Sequence, residues 1–311
     1  LLKREDIHII NCCTPNHLHK DLIIDAIKAG KHVYCDKPLT MNMEDAQQIM
    51  DAVSKSDIVN QMTFQYRFIP AIMRAKQLID KGILGEPMSF RAMYLHAGYI
   101  DPDRPMSWRL NVNQGGAGAL FDLGSHVLDL VRYLVGDCQS IFGTTETYIK
   151  QRPISKGSSE LVDVKVDDLV IMLMKMKNGA MGTVEASRIA TGTNDDLKIE
   201  IHGRDGAIKF NMMEANWLDV YDNTEEGEPI GGLKGFTRIE TVHRYPAPAV
   251  FPGPKATVGW ERFHIASMFS FLVNVVNQKS EPPTFYDGFK VQEIMEYALA
   301  SAKDGRWMDI H

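Results

Sequence analysis

Residues 7–38 read IHIINCCTPNHLHKDLIIDAIKAGKHVYCDKP, and this stretch decides the fold. Its first part, 7–13, is a short and nearly continuous apolar run, the pattern of a strand buried on both faces of a parallel sheet. Over 15–29, Leu18, Leu22, Ile23, Ala26 and Ile27 recur at helical spacing, and Gly30 supplies a C-terminal stop. Residues 32–35 then predict a second strand. Working outward, 44–53 predicts another helix and 57–64 a third strand. Strand–helix–strand–helix–strand implies a parallel α/β sheet with right-handed crossovers. Ligands of such sheets bind beyond the carboxyl ends of the strands. Here two successive strands end in Thr14-Pro15-Asn16 and Asp36-Lys37-Pro38, which brings polar groups to one sheet edge. Lys37 is the informative one. It closes an apolar strand, and Pro38 biases it toward extended backbone; a Lys-Pro elsewhere on the surface would read as merely solvated.

Further along, a helix over 70–81 leads out of this unit, and from residue 86 the pattern changes. Residues 87–96 alternate like a strand with one wet face, and an irregular stretch rich in Asp and Pro follows. A turn carrying Gly115, Gly116 and Gly118 opens a helix that runs to about Leu134. The chain is then strand-dominated, at 140–149, 169–176, 180–189, 197–202, 207–210 and 217–221. Asn178-Gly179 and Asp205-Gly206 mark two hairpins. This predicts a second, α+β domain around a large, mostly antiparallel sheet. Two long loops, the acidic and Gly-rich 223–236 and the proline-bearing 245–259, read as lids, subunit contacts or disordered segments. Helices over 260–277 and 288–303 close the chain. The domain division expected is 1–69 for the parallel unit and 70–286 for a substrate-binding and oligomerisation unit, with helix 287–304 packing back near the first.

Bulk properties exclude several function classes. The 311 residues suffice for two domains. Lys and Arg number 34 against 40 Asp and Glu, a net charge of −6, which argues against nucleic-acid and anionic-membrane partners. No apolar run approaches the roughly 20 residues of a membrane helix; the stretch 269–276 already contains Ser270 and Asn274. Lys3, Arg4, Glu5 and Asp6 ahead of a short apolar run do not make a signal peptide. Cys12, Cys13, Cys35 and Cys138 form no CxxC, no metal-like spacing and no disulfide framework. Reduced, mostly buried thiols and a cytoplasmic location follow.

The second chemical cluster lies in GGAGALFDLGSHVLDL, 115–130. On a helix Asp122, His126 and Asp129 are spaced i, i+4, i+7 and share a face. Leu120, Leu123, Val127, Leu130 and Leu134 cover the others, so the helix is largely buried and its polar residues need partners. An Asp that orients a His is an acid–base pair; a surface pair or a cap is the plainer alternative. A metal would need third and fourth ligands that the sequence does not place, so no metal is expected. The glycines are a near miss for a dinucleotide fingerprint, with Phe121 at the third glycine, and they follow a polar loop rather than a strand.

These pieces, in this order, resemble the Gfo/Idh/MocA oxidoreductase family. The matching stretches are TPNHLH (14–19), GKHVYCDKPL (30–39), QYRFIPA (65–71), LIDKGILGEP (78–87), SWR (107–109), the 115–130 run, and DGFKVQEIMEYALASAKDGRW (287–307). The resemblance implies a Rossmann-type domain followed by a sheet domain, NAD or NADP as cofactor, and hydride transfer from a hydroxyl of a sugar, polyol or related cyclic alcohol. A non-catalytic sensor or an NAD-dependent glycosidase of the same fold is the alternative. It also implies that Thr14, Pro15, Asn16, His19, Asp36, Lys37, Gln65, Trp108 and Arg109 bind cofactor. Lys37, Tyr66, Asp122 and His126 would meet substrate, with Lys37, Asp122 and His126 as the catalytic set. Asp36 and Gln65 depart from the family's usual Glu and Asn. The family also begins with a strand, a G-x-G-x-x-G turn and further βα structure, roughly 60–70 residues on the scale of two βαβ units. The sequence begins at Leu1 without them, so it is expected to be N-terminally incomplete.

In the mechanism that follows, His126 is the base, oriented by Asp122, and Lys37 stabilises alkoxide character, or Lys37 and His126 exchange these roles. A free imidazole titrates near pH 6.5, which would put an acid-side fall-off there. Finally, 169–176 (LVIMLMKM) is too apolar for its outer face to stay wet, which predicts a homodimer or homotetramer through the sheet.

Overall fold

The opening apolar runs form a three-stranded parallel sheet in the computed structural model, which describes residues 1–228, 230–232, 234–242 and 256–310. Its strands β1 (Ile9–Cys12), β2 (His32–Cys35) and β3 (Asn60–Met62) pair in that order, with Cys12 opposite Cys35. The crossovers are α1 (His19–Lys28) and α2 (Met43–Val53). The first helix begins four residues later than its periodicity suggests, because Asn16–Leu18 make a 3-10 turn. Asn42 starts α2 by accepting a hydrogen bond from the Asp45 amide at 2.8 Å.

The second unit is a nine-stranded sheet reached through α3 (Pro70–Asp80). Strand β4 (Pro87–Leu95) is followed by a short helix α4 (Val112–Gly115), a π-turn over Leu120–Gly124 and the helix α5 (Ser125–Leu134). Strand β5 (Cys138–Glu146) comes next, and β6 (Gln151–Pro153) with β7 (Leu161–Asp163) form a separate small hairpin. The sheet continues with β8 (Leu169–Met176), β9 (Met181–Ser187), β10 (Asp196–Gly203), β11 (Gly206–Asn211), β12 (Trp217–Asp222) and β13 (Phe236–Glu240). After the helices α6 (Trp260–Val276) and α7 (Phe285–Asp304), β14 (Met308–Asp309) adds to the far edge. The strand order is β13-β12-β11-β10-β4-β9-β8-β5-β14, and only β4 and β9 run parallel. Both expected hairpins, β8–β9 and β10–β11, are present. The loop expected over 245–259 lies outside the described residues up to 255.

Alternation along β8 shows how the sheet is used. Val170, Met172, Met174 and Met176 are buried, while Ile171 and Lys175 face outward. The buried face is covered by α3, α5 and α7, and α7 also packs on α2 and β3 of the parallel unit. That helix starts three residues before Gly288 because Thr284 and Asp287 form a capping box. Gly288 is a close approach rather than a boundary: a Cβ there would lie 2.9 Å from the Met62 sulfur on β3.

Where these elements meet, a guanidinium is buried. Arg67 donates through Nε and Nη2 to the Asp129 carboxylate of α5 at 2.9 and 2.5 Å, and through Nη2 to Asp287 of α7 at 2.8 Å. Asp129, placed by its spacing on the face of Asp122 and His126, is therefore occupied in the core. Removing one partner of a buried, fully paired charge leaves the other uncompensated, typically at about 3–5 kcal/mol. Asp129→Ala should lower the unfolding free energy by about that much in urea melts. A loss under about 1 kcal/mol would show that Asp287 alone satisfies Arg67.

Candidate active site

Side chains that follow β1, β2 and β3 meet the second unit between α4 and α5: Asn16 at Gly115, Lys37 at Asp122 and Arg67 at Asp129. Lys37, two residues past β2, donates to the Asp122 carbonyl oxygen at 2.7 Å and to Asp122 Oδ1 at 3.0 Å. Asp122 sits in the π-turn that opens α5. Its other carboxylate oxygen is 3.9 Å from the guanidinium of Arg188, which follows β9. Against burial, which works to raise it, Lys37, Arg188 and Arg109 hold the Asp122 carboxyl well below the ordinary carboxylate range. Asp122 is thus the counter-ion of Lys37, not the orienting partner of His126 that the helical spacing suggested. Among the described residues no hydrogen bond joins Asp122 to His126.

His126 is buried one turn further on, and its Nδ1 has no protein hydrogen-bond partner. Its ring packs on Tyr66 at 4.7 Å between centroids. Burial first, and the Lys37 ammonium second, hold His126 well below the ordinary imidazole range. An acid-side limb set by His126 would therefore lie below that of a free imidazole.

These groups line one cleft of about 940 Å³ between the two units, with Asp36, Gln65, Tyr66, Tyr94, Arg109 and Asp195 on its walls. Gln65 lies just past β3 with its Oε1 buried and without a protein partner. A narrower extension holds Asn16, Trp108 and Arg109 beside Lys37. Arg109 stacks over the Trp108 ring at 4.3 Å, bringing both from the second unit to the strand ends of the first. Asn16 is spent on a clasp, donating to the Gly115 carbonyl at 2.8 Å. His19 is fully buried, and its ring bridges the carbonyls of Thr14 and Pro38 at 2.9 and 3.0 Å. It holds two strand-end loops together. Thr14 and Pro15 lead into the 3-10 turn beside it.

Two further features bear on phosphate and metal chemistry. A Cβ on Gly118 would lie 1.8 Å from the Asp167 carbonyl oxygen, and the Asp167 carboxylate takes the Gly118 and Leu120 amides at 2.7 and 2.8 Å. The glycine run is thus a close approach whose amides are already used. Cys12, His19 and Cys35 bring ligand atoms within 4.8 Å of one another through strand register, which linear spacing conceals. Each already has a partner: Thr14 for Cys12, Asp36 for Cys35, and the two carbonyls for His19. Sequence reasoning missed Arg188, Tyr94, His96, Asp195, Trp260 and His264 on the cleft. Of these only Arg188 carried a signal, a cation just past an apolar strand, as with Lys37.

Comparison with known proteins gives the same picture along the chain. Residues 1–64 match the family model described as an oxidoreductase family with NAD-binding Rossmann fold. Residues 72–209 match that of the GFO/IDH/MocA C-terminal domain. The levoglucosan dehydrogenase of Pseudarthrobacter phenanthrenivorans is 35% identical over 98% of this chain and 80% of that protein. Among solved structures, an oxidoreductase domain protein from Kribbella flavida superposes with a TM-score of 0.94 at 34% identity, over 100% of this chain and 82% of that one. A levoglucosan dehydrogenase in complex with NADH and levoglucosan does so with a TM-score of 0.92 at 36% identity, over 99% and 82%.

The electrostatics of the cleft can be read directly by NMR of labelled histidines. The His126 ring should stay neutral through its ordinary titration range. In Lys37→Met its midpoint should move upward, because one of the two groups holding it down is gone. A His126 that titrates like a free imidazole in the parent protein, or does not respond to Lys37→Met, would contradict the arrangement.

Proposed function

The chain belongs to the GFO/IDH/MocA oxidoreductase family, and on that premise we propose that it oxidises a hydroxyl of a sugar or polyol, with NAD as hydride acceptor. One observation carries the reading: a neutral buried imidazole, an ammonium and its counter-ion face one cleft at the carboxyl ends of parallel strands. Relatives named for sugar or polyol oxidation, among them the myo-inositol 2-dehydrogenase of Thermotoga maritima, support the substrate class.

The residues present suit the nicotinamide end of the cofactor. Gln65, with a buried amide oxygen lacking a protein partner, and Trp108 and Arg109 beside Lys37 would hold it. Bound there, NAD would supply the acceptor for the hydride of the carbinol carbon. His126, kept neutral, accepts the hydroxyl proton. Lys37, held by Asp122, donates a hydrogen bond to the oxygen on which negative charge develops. Tyr66 would meet the substrate from the opposite wall, and Arg188 would hold the Asp122 carboxylate in place.

Assembly and location extend the reading. The open face of the sheet presents Met93, Phe142, Leu169, Ile171 and Leu173, with Ile171 41% exposed. That composition suits a dimer or tetramer through this face. No helix of the described residues is long and apolar enough to cross a membrane. The four cysteines are free thiols, three of them buried, which suits a reducing, cytoplasmic setting.

Two measurements test these statements. His126→Asn should reduce NADH formation from levoglucosan or the best polyol by roughly 10²–10⁴-fold, with cofactor affinity unchanged and the acid-side limb lost. Near-normal turnover with the limb intact would assign the proton to another group. For assembly, light scattering should give a dimer or tetramer at micromolar protein, and Ile171→Asp should shift it to smaller species. A monomeric parent protein would sink that part of the reading.

A further inference from the structure

Opposite Lys37, the cleft wall holds a hydrogen-bonded chain that the chemistry above does not use. The Tyr66 and Tyr94 hydroxyls are 2.6 Å apart, and the Tyr94 hydroxyl donates to Asp195 Oδ1 at 2.6 Å. His96 Nε2 lies 3.0 Å from the same carboxylate oxygen. Both phenols are buried, at 3% and 4% exposure, whereas Asp195 and His96 stand at the partly exposed mouth. Burial pushes the Tyr66 phenol up to about 12, and it also raises Tyr94, so both keep their protons at working pH.

A count of hydrogens fixes the direction of this chain. A carboxylate only accepts, and each phenol has one hydrogen to give. Tyr94 gives its hydrogen to Asp195, so the bond between the two phenols is donated by Tyr66. Tyr66 then has only acceptor capacity left for the cleft, beside the His126 ring, and the Trp260 indole N–H on the same cleft is one donor toward it. The reacting hydroxyl has a single proton, and His126 takes it. The donor that a substrate can bring to the Tyr66 oxygen is therefore a second hydroxyl.

We infer that Tyr66, locked as an acceptor through Tyr94 and Asp195, is a specificity-determining residue that selects substrates bearing a second, non-reacting hydroxyl. Tyr94 and Asp195 are positioning residues in this arrangement, with His96 fixing the carboxylate. The inference rests on the sugar or polyol reading and narrows it: a simple alcohol or a suitably deoxygenated sugar brings no donor to the cleft side of Tyr66, where Trp260 offers one protein donor. A lost hydrogen bond at a site built for it discriminates by roughly 10–100-fold.

The test compares levoglucosan with its monodeoxy and mono-O-methyl analogues on the parent protein and on Tyr66→Phe, Tyr94→Phe and Asp195→Ala. Both kcat/KM with NAD and the dissociation constant by calorimetry are measured. In the parent, one deoxy analogue should be disfavoured by roughly 10–100-fold. That ratio should shrink several-fold toward one in all three variants, including Asp195→Ala, which alters neither phenol. A structural role alone would weaken all analogues equally and leave the ratios where they were; that result overturns the inference. Loss of kcat with unchanged ratios would recast the chain as a proton path and overturns it as well. If the parent reduces no NAD with any polyol, the enzymatic reading fails, while the binding ratios still decide the acceptor. Absence of measurable binding by every analogue overturns the inference too.

Discussion

The guanidinium of Arg67 is the constraint on which the cleft depends. A charge out of water is tolerated only when its partners are close and well directed. Asp129 supplies a bidentate partner and Asp287 a second carboxylate. The three residues come from the segment after β3, from α5 and from the first turn of α7. Pairing them fixes the relative position of all three elements. Gln65 and Tyr66 precede Arg67 directly, and His126 precedes Asp129 by one helical turn. A fork of five donors has little angular freedom, so both walls of the cleft inherit its rigidity, as a site that must hold reacting groups within fractions of an ångström requires.

Electrostatics above that pin are economical. One ammonium, Lys37, keeps Asp122 ionised and helps keep His126 neutral. Both groups, four residues apart, are thereby shifted the same way, downward, so that Asp122 stays an anion and His126 a neutral imidazole at physiological pH. The cost falls on local hydrogen bonding, since the His126 Nδ1 and Gln65 Oε1 are both buried without a protein partner.

Much of this was legible in the sequence, and the limits are physical. Near-continuous apolar runs located β1 and β2, although β1 is only partly buried, with Asn11 exposed, and β3 is the largely polar Asn60–Met62. The strand-end rule found Lys37, and 3.6-residue spacing found Asp122 and His126. Partner choice was not legible. Spacing on a helix says which residues share a face, but Asp122 turns to Lys37, 85 positions away, and Asp129 to Arg67, 62 positions away. Two glycines do more than their local pattern records. Gly118 and Gly288 look like local punctuation, yet each is required by a distant atom, the Asp167 carbonyl and the Met62 sulfur. Tyr94 and Asp195 gave no signal at all, since an aromatic residue in a strand reads as core and an aspartate before one reads as a turn.

That asymmetry between legible and illegible residues has a structural origin. The groups that move a proton or a hydride sit at ends of regular elements, where backbone geometry dictates their direction and the sequence pattern records it. Tyr94 lies inside β4 and Asp195 just before β10. Strand pairing between β4 and β10 brings that end of each together, with Leu95 opposite Asp196. Tyr94 and Asp195 are thus placed by register in the second unit, whereas Tyr66, to which they bond, follows β3 beside Gln65. A change of side chain on β4 or in the turn before β10 can alter the hydrogen-bonding sense of the wall they form without disturbing Arg67, Asp129 or the charges on α5. Such a division separates what must stay rigid for chemistry from what can vary for recognition, with the Arg67 cluster, the Lys37–Asp122 pair and the Asn16 clasp joining the two sheets.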